Sequence, residues 1–374
     1  MSSYGIVTLP GRYNYGNRLQ AFALVQAVKH LGGDAVQLEF DDVNSPSVRN
    51  TYTWKLWSIL RKLKPSNRHI SMGKANAGLS LKISLITEFN DQWIPVRHIS
   101  PRERSVIHNE YSAFIAGSDQ IWNPDLLTRN LPFHPRGEDE FLHFAPVEKR
   151  FSYAASFGVS KIPKEMQKSY RSMLKQMNGV SVREDRGADI VHELTGRHVP
   201  VVLDPVMLLT KDFWLSLPLS PERNQIPEQP FILIYTLRGL QSETKSHFES
   251  FARRNNLEIL SVMGDFYDPN STVLSPIEFV HAISRASLVI TDSFHASAFS
   301  ILMNIPIQIM PRADGDSMAS RLDTLLSLFG LRESRYTSDA DLVAIANKCS
   351  FDKVNLILEQ KRKESFSYLS SIQA

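Results

Sequence analysis

Thr291-Asp292-Ser293-Phe294-His295-Ala296-Ser297 follows an apolar strand pattern, Ala286–Ile290, and precedes a helical one, Ala298–Met303. Such a strand-to-helix turn exposes the unpaired N–H groups of the first helical turn. Those groups and the positive end of the helix dipole favour an anion. Asp292 or Ser293 is suited to cap the helix. His295, beside a bound anion, is suited to proton transfer, because imidazole titrates near neutrality. The competing role for the same histidine is purely structural.

A second segment, Ser181-Val182-Arg183-Glu184-Asp185-Arg186, ends a β-run directly in charged residues. Arginine offers a rigid fork that matches carboxylate or phosphate with two parallel hydrogen bonds, so Arg183 is the first candidate for an anion ligand. Arg186 reads as a surface partner or helix cap. A third segment, Ala116-Gly117-Ser118-Asp119-Gln120-Ile121-Trp122-Asn123, places a glycine before a run of small polar groups. The glycine lets backbone approach a ligand closely. Ser118, Asp119, Gln120 and Asn123 suit sugar hydroxyls, and Trp122 suits the face of a pyranose; the same residues also suit an ordinary loop and cap. Near the start, Tyr13-Asn14-Tyr15-Gly16-Asn17-Arg18 joins a strand to a helix, with Asn17 a fourth candidate at the same cleft.

Strands and helices must bring these segments together. Short β-branched runs at Gly5–Leu9, Ala35–Phe40, Ala113–Ala116, Phe151–Ala154, Val180–Val182 and Val199–Leu203 alternate with helical patterns such as Arg18–Leu31. Between Leu217 and Pro230 the pattern stops in a stretch with four prolines. It restarts with Phe231–Tyr235, Leu257–Val262, Leu288–Thr291 and Ile305–Met310, separated by Glu243–Asn255 and Ser275–Arg285. The expected fold is therefore α/β: two Rossmann-like domains, residues 1–218 and 231–374, joined by a linker at 219–230. The last helix is a candidate to pack back on the first domain. Ligands of doubly wound folds bind at the carboxyl ends of the strands, which puts the chemistry in the cleft between the domains.

Composition narrows the function classes. The 374 residues carry 42 basic and 39 acidic side chains, a net charge of +3, which lacks the broad cationic field of a nucleic-acid binder. Cys349 is the single cysteine, so no intramolecular disulfide and no thiolate cluster within one subunit is expected, in keeping with a reducing, cytoplasmic setting. No signal peptide or membrane span is expected either. No metal-ligand spacing stands out.

Taken together, the segments resemble the polysaccharide pyruvyl transferase family. The motifs stand here as YGNRLQ (15–20), GSDQIWN (117–123), YAASFG (153–158), SVRE (181–184) and TDSFH (291–295). DPVMLL (204–209) and RLDTLLSLFGL (321–331) also fit, so the likeness covers most of the chain. One departure is Ala296, where the family usually has glycine after the histidine; an added methyl matters only if that backbone needs a positive φ.

The resemblance implies a GT-B-like pair of domains, phosphoenolpyruvate as donor, no further cofactor and no metal. The implied product is a pyruvate ketal on a saccharide of the cell surface, such as a capsule or exopolysaccharide, whose precursor is lipid-linked in the family's expected setting. It carries Arg183 over as a ligand of the donor's carboxylate or phosphate and His295 as the acid–base or phosphate-binding group. Ser293, Phe294 and Ala296 complete the donor side, Asn17, Ser118, Gln120, Trp122 and Asn123 line the acceptor side, and Asp119 or Glu184 orients the acceptor hydroxyl. The segment from Trp54 to Lys64, basic and amphipathic, suggests peripheral membrane contact or else a helix packed on the core. Two other functions use the same cleft: a glycosyltransferase with a nucleotide-sugar donor, and a non-catalytic glycan-binding protein. The acceptor sugar, the ketal's regiochemistry and the oligomeric state stay open.

Overall fold

A computed structural model describes residues 2–11, 13–41, 72–128, 138–220, 223, 225–237, 239–264, 270–311, 319–337 and 351–372. The segment from 54 to 64 lies outside the described residues. Strands β1 (Ser3–Val7), β2 (Asp34–Phe40), β3 (Val96–Ile99), β4 (Ala113–Ala116) and β5 (Arg150–Ser152) form one sheet in the order β3-β2-β1-β4-β5. Strands β6 (Phe231–Tyr235), β7 (Glu258–Ser261), β8 (Leu288–Thr291) and β9 (Ile307–Ile309) form a second, in the order β7-β6-β8-β9. All pairings within both sheets are parallel. Parallel neighbours need crossover connections, and helices supply them here. In the first half these are α1 (Tyr15–His30), α2 (Met72–Trp93), α3 (Pro124–Thr128), α4 (Gln167–Lys175), α5 (Asp185–Thr195) and α6 (Lys211–Ser216). The second half contributes α7 (Ser242–Arg254), α8 (Pro276–Arg285), α9 (Phe294–Met303), α10 (Ala319–Phe329) and α11 (Phe351–Ser371). The fold is thus two Rossmann-like α/β units.

The local chemistry explains the elements. Phe231-Ile232-Leu233-Ile234-Tyr235 is buried at every position, as a strand covered on both faces must be. Ser275 accepts from the Glu278 N–H while Glu278 reaches back to the Ser275 N–H, a capping box that starts α8 one residue inside the sequence boundary. The runs at 180–182 and 199–203 form single parallel bridges at Val182 with Ala155 and Val201 instead of full strands. Pro200 explains part of this: its carbonyl accepts from Val182, but it has no N–H to return.

The two sheets share one apolar core. Helix α1 is buried along most of its length and lies between them. The Tyr15 ring stacks on Phe279 of α8 at 4.9 Å, and Phe22 meets Trp214 of α6 at 5.6 Å. Trp214 in turn packs edge-on against Phe299 of α9 at 5.0 Å. Helix α11 returns to the first sheet, where Leu203 N–H donates to Ser365 Oγ and Tyr368 Oη donates to the Ser152 carbonyl. Among the described residues, no helix is long and apolar enough to cross a membrane.

Candidate active site

Helix α9 begins at Phe294, one turn earlier than the apolar period suggests, because Ser293 caps it and accepts from the Ala296 N–H. His295 therefore sits within the first helical turn rather than ahead of it. Ala296 is an ordinary buried helical residue whose φ is not positive, so its methyl group carries no backbone strain. Asp292 Oδ1 accepts from the Leu237 N–H and ties β8 to the end of β6.

Arg183 emerges directly after the Val182 bridge, and its guanidinium meets three groups. Nη1 donates to Asp204 Oδ2 at 2.5 Å, Nη2 donates to Asp119 Oδ1 at 3.3 Å, and Nη1 lies 3.5 Å from His295 Nε2. The plane also covers the Phe294 ring, with Cζ 4.3 Å from its centroid. His295 Nε2 stands 3.6 Å from Asp204 Oδ2 as well. Which of these two neighbours the ring nitrogen engages depends on the tautomer. Asp204 is held from every side: Oδ2 also accepts from Ser118 Oγ at 3.1 Å, and Oδ1 accepts from the Val206 N–H.

Asp119 is the second carboxylate of the cluster. Its Oδ2 accepts from Asn17 Nδ2 at 2.9 Å, and Arg321 Nη1, from the first turn of α10, lies 3.9 Å from its Oδ1. Asn17 is itself oriented by buried Arg18, which donates to Asn17 Oδ1 and to the Leu9 carbonyl. The Gln120 amide lies between Asn123 at 2.6 Å and the Arg321 guanidinium at 3.2 Å.

Charge dominates this site. Burial alone would raise the Asp119 pKa, but the positive charges of Arg183, His295 and Arg321, with the Asn17 hydrogen bond, bring it down to about 2. Burial likewise opposes ionisation of Asp204, and His295 and Arg183 override it, holding that carboxyl well below the usual range. Desolvation works against the Arg183 charge, yet Asp204, Asp119 and Glu184 raise its pKa. Both carboxylates ionise more readily in the folded chain than in the unfolded one. The stability they supply is therefore present above about pH 4, the unfolded carboxylate range. It is lost as pH falls through the folded Asp119 value of about 2. Urea midpoints between pH 5 and pH 2 should fall steeply for the wild type. Asp119→Asn should flatten that acid limb by about 2 kcal/mol, the size of its pKa shift.

Several residues expected at this cleft have other work. Trp122 is fully buried, its ring stacked on Phe141 at 4.8 Å and 2° and its Nε1 donating to the Glu140 carbonyl, so it is a core residue and not a platform for a sugar. Asn123 accepts from the Asp125 N–H and caps α3. Glu184 turns away from His295: its Oε1 accepts from Ser156 Oγ and from the N–H groups of Phe157 and Gly158. It clamps the 156–158 turn, which corrects its expected role beside the acceptor hydroxyl. Ser118, completely buried, braces Asp204. Arg186 pairs with Glu193 on the surface.

Three contributors escape a reading by sequence alone. Asp204 follows an apolar run and opens DPVMLL, and Arg321 opens RLDTLLSLFGL; both motifs were legible, but nothing in their spacing says they reach the same point. The third is Gly16. A Cβ there would lie 2.3 Å from His295 Cγ and Nδ1, so α1 can pass under the imidazole only as glycine. Gly16→Ala should displace the ring and cost about 10²-fold in turnover, the scale of a roughly 1 Å misplacement. Its measurement is turnover set against an unchanged far-ultraviolet spectrum.

A cavity of about 320 Å³ touches this cluster through Arg183, Asp204 and Phe294. Its far walls come from Met207, from Leu325 and Leu328 of α10, and from Lys361 of α11. Among the described residues, no group of three or more His, Cys, Asp or Glu converges to hold a metal ion.

The family model described as polysaccharide pyruvyl transferase matches residues 14–307. The chain belongs to that family. The matched stretch contains Asn17, Asp119, Arg183, Asp204 and His295, and it ends before Arg321. Membership makes the protein a transferase of the pyruvyl class with a polysaccharide acceptor. A comparison with curated proteins finds no match. Similar solved structures include UDP-GlcNAc 2-epimerase from Neisseria meningitidis, at 10% identity and TM-score 0.46, over 98% of this chain and 94% of that one. Another is the glycosyltransferase SnogD from Streptomyces nogalater, at 13% identity and TM-score 0.42 over 100% of both chains.

Proposed function

We propose that the protein transfers the pyruvyl group of phosphoenolpyruvate onto two hydroxyls of a surface saccharide or its precursor, forming a ketal and releasing phosphate. The observation that carries this reading is the meeting of Arg183 and His295, 112 residues apart in the chain, at 3.5 Å. A permanent cation, a proton carrier and the N-terminus of α9 then share one small space, which is what an anionic enol phosphate requires.

The reaction balances as follows. The methylene carbon of the enol gains a proton, the first hydroxyl oxygen bonds to the central carbon and sheds its proton, and the bond from that carbon to the phosphate oxygen breaks. The second hydroxyl then bonds to the same carbon. Of the two hydroxyl protons released, one balances the new methyl group and the other leaves with phosphate. His295 is the group that moves protons. Arg183 and the α9 backbone from Ser293 to Ala296 stabilise the departing anion, and Arg183 keeps one buried donor, Nε, without a hydrogen-bond partner. Asp119, ionised and at the edge of the cluster, orients the acceptor hydroxyl.

The test incubates the protein with phosphoenolpyruvate and candidate saccharides. Phosphate release in step with a saccharide mass gain of one pyruvyl ketal supports the reading. Release of UDP from sugar nucleotides with no use of phosphoenolpyruvate would replace it with glycosyl transfer. Glycan binding without turnover on any donor would replace it with a non-catalytic role.

A further inference from the structure

Ser156 joins the 119–122 loop through its backbone. Its N–H donates to the Asp119 carbonyl at 2.9 Å, and its carbonyl accepts from the Trp122 N–H at 3.2 Å. One residue earlier the chain faces the other arm of the site, where the Ala155 carbonyl accepts from the Arg183 N–H at 3.3 Å. The segment from 154 to 158 is therefore the spacer between Asp119 and Arg183, whose side chains meet at 3.3 Å.

This spacer does not take its shape from regular pairing. Asp119 and Ala154, with φ of 61° and 49°, both sit in the left-handed region, which residues other than glycine occupy where their surroundings impose it. Gly158 lies so close to the Gln120 amide that a Cβ would stand 2.3 Å from its Oε1. A buried carboxyl oxygen gathers the turn: Glu184 Oε1 accepts from Ser156 Oγ at 2.9 Å, from the Phe157 N–H at 3.0 Å and from the Gly158 N–H at 3.3 Å. Two of those donors are buried backbone groups, which are costly to leave unpaired, so the turn is bound to that oxygen.

We propose that Glu184 is a positioning residue for the acceptor side: by gathering the 156–158 turn it fixes the backbone of Asp119, and with it the carboxylate that orients the acceptor hydroxyl. This rests on the pyruvyl-transfer reading above. Glu184 touches neither substrate and acts through Ser156. The Asp119 carboxylate is held at its far end by Asn17 at 2.9 Å and Arg183 at 3.3 Å, so a displaced backbone disturbs both contacts.

The experiment is a double-mutant cycle on the full chain, read as phosphate release from phosphoenolpyruvate with the saccharide that supports it in the test above. Glu184→Ala should lower turnover by about 10²-fold, the scale of a roughly 1 Å misplacement. Once Asp119→Asn is present, the same change should cost less than about threefold, because residues acting as a unit are not additive. Glu184→Gln, which keeps an oxygen for the turn, should recover most of the loss. Equal losses with and without Asp119→Asn, or a Glu184→Gln variant as impaired as Glu184→Ala, would overturn this proposal and leave the pyruvyl-transfer reading standing. A wild type that releases no phosphate from phosphoenolpyruvate would overturn both. Should Glu184→Ala fail to fold, Glu184→Asp, which draws the oxygen back by one methylene, takes its place in the cycle. Should Asp119→Asn abolish turnover, recovery by Glu184→Gln decides.

Discussion

His295→Ala should lower pyruvyl-transfer turnover by about 10²–10⁴-fold, the usual contribution of a positioned general acid–base. The loss should be far larger in turnover than in stability. The histidine sits in the first turn of α9, and that helix is held mainly by its apolar residues, Phe299, Ile301 and Leu302 among them, which are buried in the shared core. Its Nε2 faces Arg183 and Asp204, which keep each other as hydrogen-bond partners when the imidazole is removed. Phosphate release and ketal mass spectrometry provide the measurement. A folded variant with near-normal turnover would remove His295 from the proton-transfer role while leaving Arg183 as an anion-stabilising group. Paired with Gly16→Ala, the experiment gains resolution. If the ring's position is what matters, the double variant should be no worse than His295→Ala alone, because residues acting as a unit are not additive.

Asp204→Ala should be the most destabilising single change at the site, by about 3–5 kcal/mol, because it leaves the Arg183 charge buried with its closest partner gone. The side chain is wholly buried and accepts from Arg183, Ser118 and the Val206 backbone at once, with His295 close by, so several donors lose their partner together. Urea denaturation of the two proteins at neutral pH measures the difference. Removing both charges tells function apart from stability. Arg183→Met with Asp204→Leu should recover much of the lost stability, since an apolar pair avoids the desolvation cost, while phosphoenolpyruvate-dependent turnover stays abolished. A double variant as unstable as Asp204→Ala would mean that the ion pair is a stabilising element in its own right.

Much of this protein was legible in its sequence, because the signals concerned are local. Five consecutive apolar residues at 231–235 make a covered strand wherever they occur. A serine before Phe294 caps a helix, and a β-run that ends in charged residues from Arg183 on marks the mouth of a sheet. The order of strands and helices implies two parallel sheets. The meeting of Arg183 with His295 followed from placing both at carboxyl ends of strands in facing units.

What the tertiary structure alone decided is which way each side chain turns and what it meets there. Trp122 reads from sequence as a platform for a sugar, and only the presence of Phe141 alongside makes it core. Glu184 adjoins Arg183 in the chain, yet alternation along the backbone sends it to the 156–158 turn. Asp204, Arg321 and Gly16 carry no local mark of their roles, because those roles exist only between segments far apart in sequence. A covalent chain encodes periodicity within a few residues, whereas depth, charge balance and the 2.3 Å that makes Gly16 obligatory under His295 arise when distant segments are packed against one another.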